Sequence, residues 1–371
     1  MKIIIAYASC GTGHRRAAEA IYNYFKENCP VHDLEIIDAL QKTNFIFKKL
    51  YSYGYLFLVN HALWLWHFCF WLTSVSCLRP LVNILIPIIN RLNAKNFFGF
   101  LIKENPDFII STHFLPSEIA TYLKKINKLN SKIVTVITDF GIHPLWILDR
   151  TDMYIVASDV SKEQLILEGV QGNIIKDFGI PIDSKFLKKY EKNILCKKLD
   201  IEPNRFTILI STGSYGIGQI EEIVDSLYKE VQILVVCAHN KILYARLSKK
   251  NYPNVWVFGF IDNMQELMVV SDMIITKPGG LTISESLTMD LLPFFITAIP
   301  GQETENAKIL VKKSIGINIK DAASIKDIVL DFRDHPDKLK NMKEKINELK
   351  RPFALKELCN VICQGSIRAT C

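Results

Sequence analysis

A glycine-rich turn that ends in a histidine is the first place where this sequence could do chemistry. Residues 10–14 read CGTGH and follow the apolar run of residues 2–8. Glycines at such a turn let backbone N–H groups approach a phosphate or a sugar, and a histidine can accept a proton near neutral pH. Arg16 stands where G-x-G-x-x-G has its third glycine, which argues against a dinucleotide cofactor. His14 is therefore a candidate general base, with a capping or packing role at the helix start as the alternative.

Three loops in the second half of the chain carry residue types that suit a nucleotide sugar. They are residues 211–218 (STGSYGIG), 277–282 (KPGGLT) and 300–306 (PGQETEN). Each loop precedes a predicted helix, whose N-terminus attracts a diphosphate, and the amides and carboxylates suit sugar hydroxyls. The spacing of Thr282 and Glu285 also matches a helix capping box, so a structural role is the alternative there. Together, the three loops predict a nucleotide-sugar site.

These loops need a scaffold, and the sequence predicts one in which strands and helices alternate in two rounds. Apolar runs such as residues 107–111 and 132–138 alternate with helical patterns, and the alternation restarts after a lysine-rich stretch at 184–204. This predicts two doubly wound α/β domains with parallel sheets, residues 1–188 and 189–350. Two such domains facing across a cleft match the GT-B architecture of many nucleotide-sugar glycosyltransferases. The alternation alone equally allows an epimerase or a two-domain dehydrogenase.

An apolar segment at residues 45–100 interrupts the first domain. Residues 50–78 contain no Asp, Glu, Lys or Arg, and they include Trp64, Trp66 and Trp71. A single membrane crossing would place strands of one sheet on opposite sides of the bilayer, so we predict helices that lie in the membrane interface. The basic residues that would meet anionic lipid are Lys48, Lys49, Arg79, Arg91 and Lys95. A buried helical insertion is the alternative.

Composition and charge narrow the function classes. The chain has 371 residues, 49% hydrophobic and 22% charged, which excludes a disordered or low-complexity protein. The formal net charge of +7 is too small for a dedicated nucleic-acid binder and favours anionic phosphates or an anionic membrane surface. Nine cysteines without a C-x-x-C pair predict neither a disulfide framework nor a zinc site. Residues 1–8 are predicted as a buried strand rather than a signal peptide, which indicates the cytosol.

Two segments resemble the monogalactosyldiacylglycerol synthase and processive diacylglycerol glucosyltransferase family. They are residues 11–21 (GTGHRRAAEAI) and 138–146 (TDFGIHPLW), while the loops at 277–285 and 300–306 are shared more widely. The resemblance spans nearly the whole chain. It implies an inverting GT-B enzyme that moves a hexose from a UDP-sugar to diacylglycerol, without a metal or any cofactor besides the UDP-sugar co-substrate. It also implies peripheral, monotopic attachment to anionic lipids on the cytoplasmic face of the membrane.

The resemblance implies residue roles on the acceptor side. His14 is the first candidate for the catalytic base, and Asp139 is the second candidate or the group that orients the imidazole. The residues predicted to contact the acceptor or the membrane are His143 and Trp146, in the family-like segment, and Trp64, Trp66 and Trp71, in the charge-free aromatic run.

On the donor side, the resemblance implies a larger set of binding residues. Glu285 would bind the ribose hydroxyls, and the backbone at Phe260 and Ile261 would bind the uracil. The 351–371 helix would return to the first domain. The full implied donor set is Gly13, Gly213, Ser214, Phe260, Ile261, Pro278, Gly279, Gly280, Leu281, Thr282, Glu285 and, for the hexose, Gln302, Glu303 and Asn306.

Two other functions stay open at this point. An enzyme of the same fold could transfer N-acetylglucosamine to a polyprenyl-diphosphate lipid. A catalytically silent, membrane-associated sensor of UDP-sugars would keep the donor loops without turnover. Glucose and galactose are both open as the transferred sugar, and so is the addition of a second one.

Overall fold

The computed structural model of the chain describes residues 1–29, 33–213, 219–296, 299–319 and 321–367. The described strands are β1 (Lys2–Tyr7), β2 (Asp33–Asp38), β3 (Phe108–Ser111), β4 (Lys132–Val136), β5 (Met153–Ile155), β6 (Ile175–Lys176), β7 (Thr207–Ser211), β8 (Gln232–Val236), β9 (Val255–Phe258), β10 (Met273–Thr276), β11 (Leu292–Phe295) and β12 (Ile317–Asn318). The described α-helices are α1 (Gly13–Asn28), α2 (Phe45–His61), α3 (Leu63–Ser74), α4 (Arg79–Asn93), α5 (Lys95–Glu104), α6 (Phe114–Lys125), α7 (Asp159–Leu167), α8 (Lys192–Leu199), α9 (Ile220–Leu227), α10 (Lys241–Lys250), α11 (Met264–Val270), α12 (Gly280–Thr288), α13 (Gln302–Lys312), α14 (Ala322–Asp334), α15 (Pro336–Leu349) and α16 (Ala354–Ile367).

The chain forms two compact units. The first consists of Met1–Ser184, Ile299–Glu305 and Arg351–Cys371, and the second of Lys185–Ala298 and Asn306–Lys350. Within the described ranges, each unit contains one parallel sheet of six strands with helices connecting them. The predicted α/β class with two doubly wound parallel sheets is confirmed.

The sheet of the first unit has the strand order β2-β1-β3-β4-β5-β6. Its central strands are buried on both faces, which is why they read as continuous apolar runs rather than as alternating ones. Along β1, Ile3 and Ile5 pack with α1 and α16, whereas Ile4 and Ala6 pack with α5 and α6. Because all these strands are parallel, the turns that follow β1, β3 and β4 meet at one edge of the sheet.

The apolar insertion is only partly what the sequence predicted. Helix α5 belongs to the core, where Phe97 and Leu101 are fully buried. Near the end of α4, Asn90 donates a 2.7 Å hydrogen bond to the carboxyl group of Glu118, and burial raises the pKa of that carboxyl. Helix α3, by contrast, has no buried residue. The prediction that residues 45–100 lie in a membrane interface is therefore wrong for α5, because its apolar face packs against the sheet.

Helices α2 to α4 expose many large apolar side chains. No single described helix is long and apolar enough to cross a membrane, and α3 with α4 passes that test only as a pair bent by 110°. The exposed large apolar residues of these helices are Phe45, Ile46, Leu50, Tyr53, Phe57, Leu63, Trp64, Phe68, Trp71, Leu72, Leu81, Ile84, Leu85, Ile88, Ile89 and Leu92.

The sheet of the second unit has the strand order β12-β11-β10-β7-β8-β9, again parallel. Alternate residues of its central strands, such as Ile208 and Ile210, pack with α9 and α14 in one buried cluster. Strand β7 pairs with β10, and Ser211 lies opposite Thr276 at their carboxyl ends. The turns after β7 and β10 are consequently neighbours in space.

A disulfide between Cys29 and Cys363 joins the end of α1 to α16. The sequence predicted no disulfide framework and did not identify this single pair, because the two cysteines lie 334 residues apart and only the packing of α16 on α1 brings them together. The thiol of Cys359, one helical turn before Cys363, lies 3.8 Å from its sulfur. The three sulfur atoms lie within 4.8 Å of one another, a spacing that would also suit a metal ion.

Gly179 offers a test of how the C-terminal segment packs on the first unit. Its φ is +99°, and an added Cβ would lie 2.4 Å from the Cβ of Arg351. Gly169 has a similar φ of +90° but open space around it. We expect Gly169→Ala to cost about 1–2 kcal/mol from backbone strain alone, and Gly179→Ala to cost roughly 1–3 kcal/mol more through the clash.

The measurement is the free energy of unfolding of both variants in urea. Equal losses in the two variants would contradict the close approach of Arg351 to Gly179.

Candidate active site

His14 lies at the edge of the first sheet where three turns meet. Strand β1 is followed by a turn in which Gly11 has a φ of +84°, and α1 begins at Gly13. The Nδ1 atom of His14 lies 2.8 Å from the carbonyl oxygen of Thr112 and 2.8 Å from the hydroxyl of Thr138. The Thr112 hydroxyl in turn donates to the His14 carbonyl at 2.8 Å. The residues after β3 and β4 thus hold the imidazole in one orientation.

The hydrogen bonds of His14 determine its tautomer. A carbonyl oxygen can only accept a hydrogen bond, so Nδ1 must carry the proton, and the lone pair is left on Nε2. Burial lowers the pKa of His14 to about 4, and the bond to the Thr112 carbonyl opposes that shift only in part. At physiological pH the ring is neutral. Its Nε2 can therefore accept a proton from a substrate hydroxyl.

Aromatic rings form the apolar surroundings of His14. The ring of His113 meets it edge-on at 4.7 Å between centroids, and the fully buried Trp146 lies 6.3 Å from both imidazoles. His113 accepts a hydrogen bond from the Leu115 N–H and so caps α6. Burial and the neighbouring His14 keep the pKa of His113 well below its usual value. This packing removes water from one side of the His14 ring, which is why its charged form is disfavoured.

Two residues around His14, Thr112 and His113, were not predicted from the sequence. Thr112 and His113 belong to a Ser-Thr-His triplet that directly follows an apolar strand, and that position at a strand end was the available signal. Within the segment at 138–146, Thr138 is bonded to His14. Asp139 is buried one residue further on. The segment thus reaches His14 through its first residue.

His143 was predicted to contact the acceptor, and the structure gives it a partner within the protein. Its Nδ1 accepts a 3.2 Å hydrogen bond from the Leu145 N–H, so Nε2 carries the proton. That nitrogen lies 3.1 Å from the Ser74 hydroxyl and 3.3 Å from that of Thr73. The ring of Phe70 lies 4.5 Å away, and burial lowers the pKa of His143 to about 4. His143 therefore fixes the end of α3 to the loop after β4.

The four tryptophans predicted to contact acceptor or membrane have three different environments. Trp146 is fully buried and cannot touch a membrane surface, so that part of the prediction is wrong. Its indole Nε1 has no hydrogen-bond partner in the part of the chain that the structure describes. Trp64 and Trp71 are exposed, by 74% and 52%. Trp66 is partly buried and donates a 3.0 Å hydrogen bond to the carbonyl of Pro300.

In the second unit, the turns after β7 and β10 lie against each other. Gly213 has a φ of +81°, and an added Cβ would lie 2.8 Å from the side chain of Lys277. The hydroxyl of Thr212 is buried beside this turn and has no hydrogen-bond partner among the described residues. Adjacent turns at the carboxyl edge of a doubly wound sheet are where such folds bind nucleotides. Ser214, which was predicted to contact the diphosphate, lies outside the described residues.

Helix α12 follows the second of these turns, and its first residue tests the capping-box alternative for Thr282 and Glu285. A capping box would need Thr282 as the residue that precedes the helix. The helix instead begins at Gly280, with Gly279 as the capping residue and no side-chain cap. Glu285 is therefore well inside the helix, where it is buried. The capping-box interpretation of Thr282 and Glu285 is wrong.

The residues predicted to face the hexose are arranged unequally. Asn306 is fully buried and donates a 3.0 Å hydrogen bond to the carbonyl of Pro278, so it supports the turn after β10. Glu303 accepts a 2.9 Å hydrogen bond from the Ile299 N–H and closes its own turn. Gln302 is partly exposed at the start of α13.

The predicted uracil-binding residues follow β9. The ring of Phe260 is about half exposed and stacks on the imidazole of His239 at 4.8 Å between centroids. Ile261 lies next to it in the chain. His239, which lies in the loop after β8, was not among the predicted residues.

Comparisons with known proteins place this architecture in a family. The family model for monogalactosyldiacylglycerol (MGDG) synthase matches residues 14–182, and that for the glycosyltransferase family 28 C-terminal domain matches residues 207–358. A processive diacylglycerol beta-glucosyltransferase of Staphylococcus haemolyticus is 31% identical over 96% of this chain and 91% of its own length. The chain belongs to the family of MGDG synthases and processive diacylglycerol glucosyltransferases. The resemblance stated from the sequence is confirmed.

Further relatives agree with this assignment. A processive diacylglycerol beta-glucosyltransferase of Bacillus cereus is 28% identical over 95% of this chain and 90% of its own length. Among solved structures, MurG of Acinetobacter baumannii has a TM-score of 0.60 at 14% identity, covering 98% of this chain and all of its own. Anabaena HepE, solved with UDP-glucose, has a TM-score of 0.56 at 14% identity, with the same coverage. These structures share the fold, and the predicted GT-B class is confirmed.

The protonation state of His14 can be measured directly. Spectra that correlate ring protons with ring nitrogens in the ¹⁵N-histidine-labelled protein should show His14 as the neutral Nδ1–H tautomer at pH 7. Its titration midpoint should lie near 4, against about 6.5 for the chain unfolded in urea. Because the unfolded chain binds the proton more tightly, His14 should also lower the free energy of unfolding as the pH falls below about 6.5. A midpoint near 6.5 in the folded protein, or an Nε2–H tautomer, would contradict the assignment.

Proposed function

We propose that this chain is an inverting glycosyltransferase that moves a hexose, glucose or galactose, from a UDP-sugar to diacylglycerol. The observation that carries the proposal is the orientation of His14 by Thr112 and Thr138, which leaves a neutral imidazole with its lone pair on Nε2. The relatives are named as diacylglycerol glucosyltransferases and match the chain over nearly its full length. A catalytically silent sensor would have no use for an oriented base. The polyprenyl-lipid alternative has no observation of its own in its favour.

The chemistry at His14 follows from the inverting reaction. The free hydroxyl of diacylglycerol attacks the anomeric carbon from the face opposite UDP, and its proton passes to Nε2 of His14. The bond between the anomeric carbon and the UDP oxygen breaks, and UDP leaves with the electron pair. The Nδ1–H bond to the Thr112 carbonyl strengthens as the ring becomes positive. Asp139, which is buried next to Thr138, is the second candidate for the base.

The donor side is proposed to lie at the turns of the second unit. Lys277 and the N-terminus of α12, with the turn that Asn306 supports, would stabilise the negative charge of the diphosphate. This arrangement would let UDP depart without a metal. Glu285 would hold the ribose hydroxyls, and Phe260 would pack against the uracil.

The exposed apolar side chains of α2 to α4 are proposed to dock the chain on the bilayer that contains the acceptor. Trp64 and Phe68 on α3 project from a helix with no buried residue, and Lys48 and Lys49 on the preceding helix α2 supply positive charge. Aromatic side chains partition to the headgroup region, and lysines are attracted to anionic lipid. The proposed attachment is peripheral and on the cytoplasmic face.

The central experiment is transfer of radiolabelled hexose from UDP-glucose or UDP-galactose to diacylglycerol in vesicles. We expect His14→Ala to reduce kcat about 10²–10⁴-fold, because it removes the base, while UDP binding by calorimetry persists. Asp139→Asn is the comparison variant. Near-normal transfer by His14→Ala together with a collapse in Asp139→Asn would move the base to Asp139. Absence of any glycolipid product from the unmodified protein would overturn the proposed function.

The docking surface has its own test. Replacing Trp64 and Trp71 by Ser should weaken binding to anionic vesicles about tenfold or more, since each exposed ring loses its burial in lipid. Ile194→Ser is the matched control, because Ile194 is 68% exposed but lies on α8 of the second unit. Raising the salt concentration should release the protein only in part, because apolar burial is not screened. Equal vesicle binding by the unmodified protein, the Trp64/Trp71 variant and Ile194→Ser would refute docking through α3.

A further inference from the structure

Helix α3 has two faces that do different things. Trp64, Phe68 and Trp71, spaced by four and three residues, are exposed. Trp66 and Phe70, also four residues apart, are partly buried on a different side of the helix and contact other parts of the first unit. The contacts of Trp66 and Phe70 reach the turn before Gln302 and Glu303.

The first contact is between α3 and the turn at residues 299–301. The indole Nε1 of Trp66 donates a 3.0 Å hydrogen bond to the carbonyl of Pro300. The ring of Phe70 lies directly against Gly301, where an added Cβ would come within 2.8 Å of it. Gly301 also has a φ of +106°, which favours glycine. The turn is therefore held by one hydrogen bond and one ring, both from the same helix.

The second contact ties α3 to the loop after β4, which carries Thr138 and Asp139. His143 bonds the Ser74 and Thr73 hydroxyls, and its ring lies 4.5 Å from Phe70. Phe70 thus touches both the His143 ring and Gly301. His143 therefore fixes the end of α3, and α3 in turn contacts the turn at 299–301. A shift of α3 would disturb that turn.

We propose that Trp66 and Phe70 are positioning residues for the donor hexose. They hold the Pro300–Gly301 turn in the conformation that presents Gln302 and Glu303 to the sugar. Within the described residues, the turn is also closed locally, by the hydrogen bonds from the Ile299 N–H to Glu303 and from the Thr304 hydroxyl to the Ile299 carbonyl. Sugar recognition depends on hydroxyl partners placed to within a fraction of an ångström, so a loosened turn loses hexose affinity first. This inference rests on the proposed function, because it assigns the hexose to Gln302 and Glu303.

The affinities for UDP-hexose and for UDP should respond differently if Trp66 and Phe70 position the hexose. A merely structural role would change both affinities together. UDP-glucose and UDP-galactose contain the hexose, whereas UDP lacks it. Loss of the Trp66 hydrogen bond should weaken binding of the UDP-hexose and leave binding of UDP unchanged. A general loss of structure would weaken both.

The test is calorimetric binding of UDP, UDP-glucose and UDP-galactose to lipid-free protein. Trp66→Phe keeps the aromatic ring and removes the N–H donor. It should raise the Kd of the preferred UDP-hexose roughly two- to tenfold, the size of one lost hydrogen bond, with the Kd of UDP within twofold. His67→Ala is the control, since His67 is the next residue of α3 and is exposed. Its Kd values should match those of the unmodified protein.

A second pair of variants tests Phe70. Gly301→Ala should raise the Kd of the UDP-hexose further, because its methyl group meets the Phe70 ring. Combining it with Phe70→Leu should recover part of that loss, since the smaller side chain leaves room. Recovery in the double variant supports direct contact between the two residues, and its absence contradicts it.

The result that would overturn the inference is a parallel rise of the UDP and UDP-hexose Kd values in Trp66→Phe, or no rise in either. These measurements need no turnover. If the unmodified protein bound UDP-hexose and Trp66→Phe weakened that binding selectively, the inference would stand even if no glycolipid were formed. Failure of transfer and failure of this inference are thus distinguishable.

Discussion

The hydrogen bond between Nδ1 of His14 and the carbonyl of Thr112 is the constraint on which the chemistry proposed for the first unit depends. It fixes the tautomer, and the tautomer decides which nitrogen can accept a proton. The bond requires the turn after β1 and the turn after β3 to meet, which parallel neighbouring strands ensure. Burial beside His113 and Trp146 then keeps the ring neutral. The result is a weak but oriented proton acceptor, which suits the proposed reaction.

The second unit uses the same geometric rule for a different purpose. Its central strands β7 and β10 are neighbours, so the glycine turn after one packs on the lysine of the turn after the other. Asn306, which is buried in α13, donates a hydrogen bond to the carbonyl of Pro278. Residues that look like direct sugar ligands in the sequence can thus support a turn instead. The distinction rests on burial, because a fully buried amide is committed to its partner in the protein.

The apolar insertion shows how one composition can serve several environments. Phe97 on α5 is core, Trp64 on α3 is exposed, and Trp66 two residues later bonds the Pro300 carbonyl. A charge-free aromatic run is compatible with all three environments. Its helices lack a charged face that would distinguish a core helix from an interfacial one. The structure separates them through the contacts of each helix. The same helix that exposes aromatic rings also carries the residues that hold a turn near the start of α13.

The sequence by itself determined the α/β class, the two parallel sheets, His14 as a candidate base and the family. It did so because strand runs buried on both faces, and glycine turns before helices, are local patterns that survive without knowledge of packing. Tertiary structure alone decided the roles of Thr112, His143 and Asn306, the burial of Trp146 and the pairing of Cys29 with Cys363. Each of these depends on a partner far away in the chain: His14 and Thr112 are 98 residues apart, and Cys29 and Cys363 are 334 apart. No local pattern encodes such contacts, since they form only when whole elements pack.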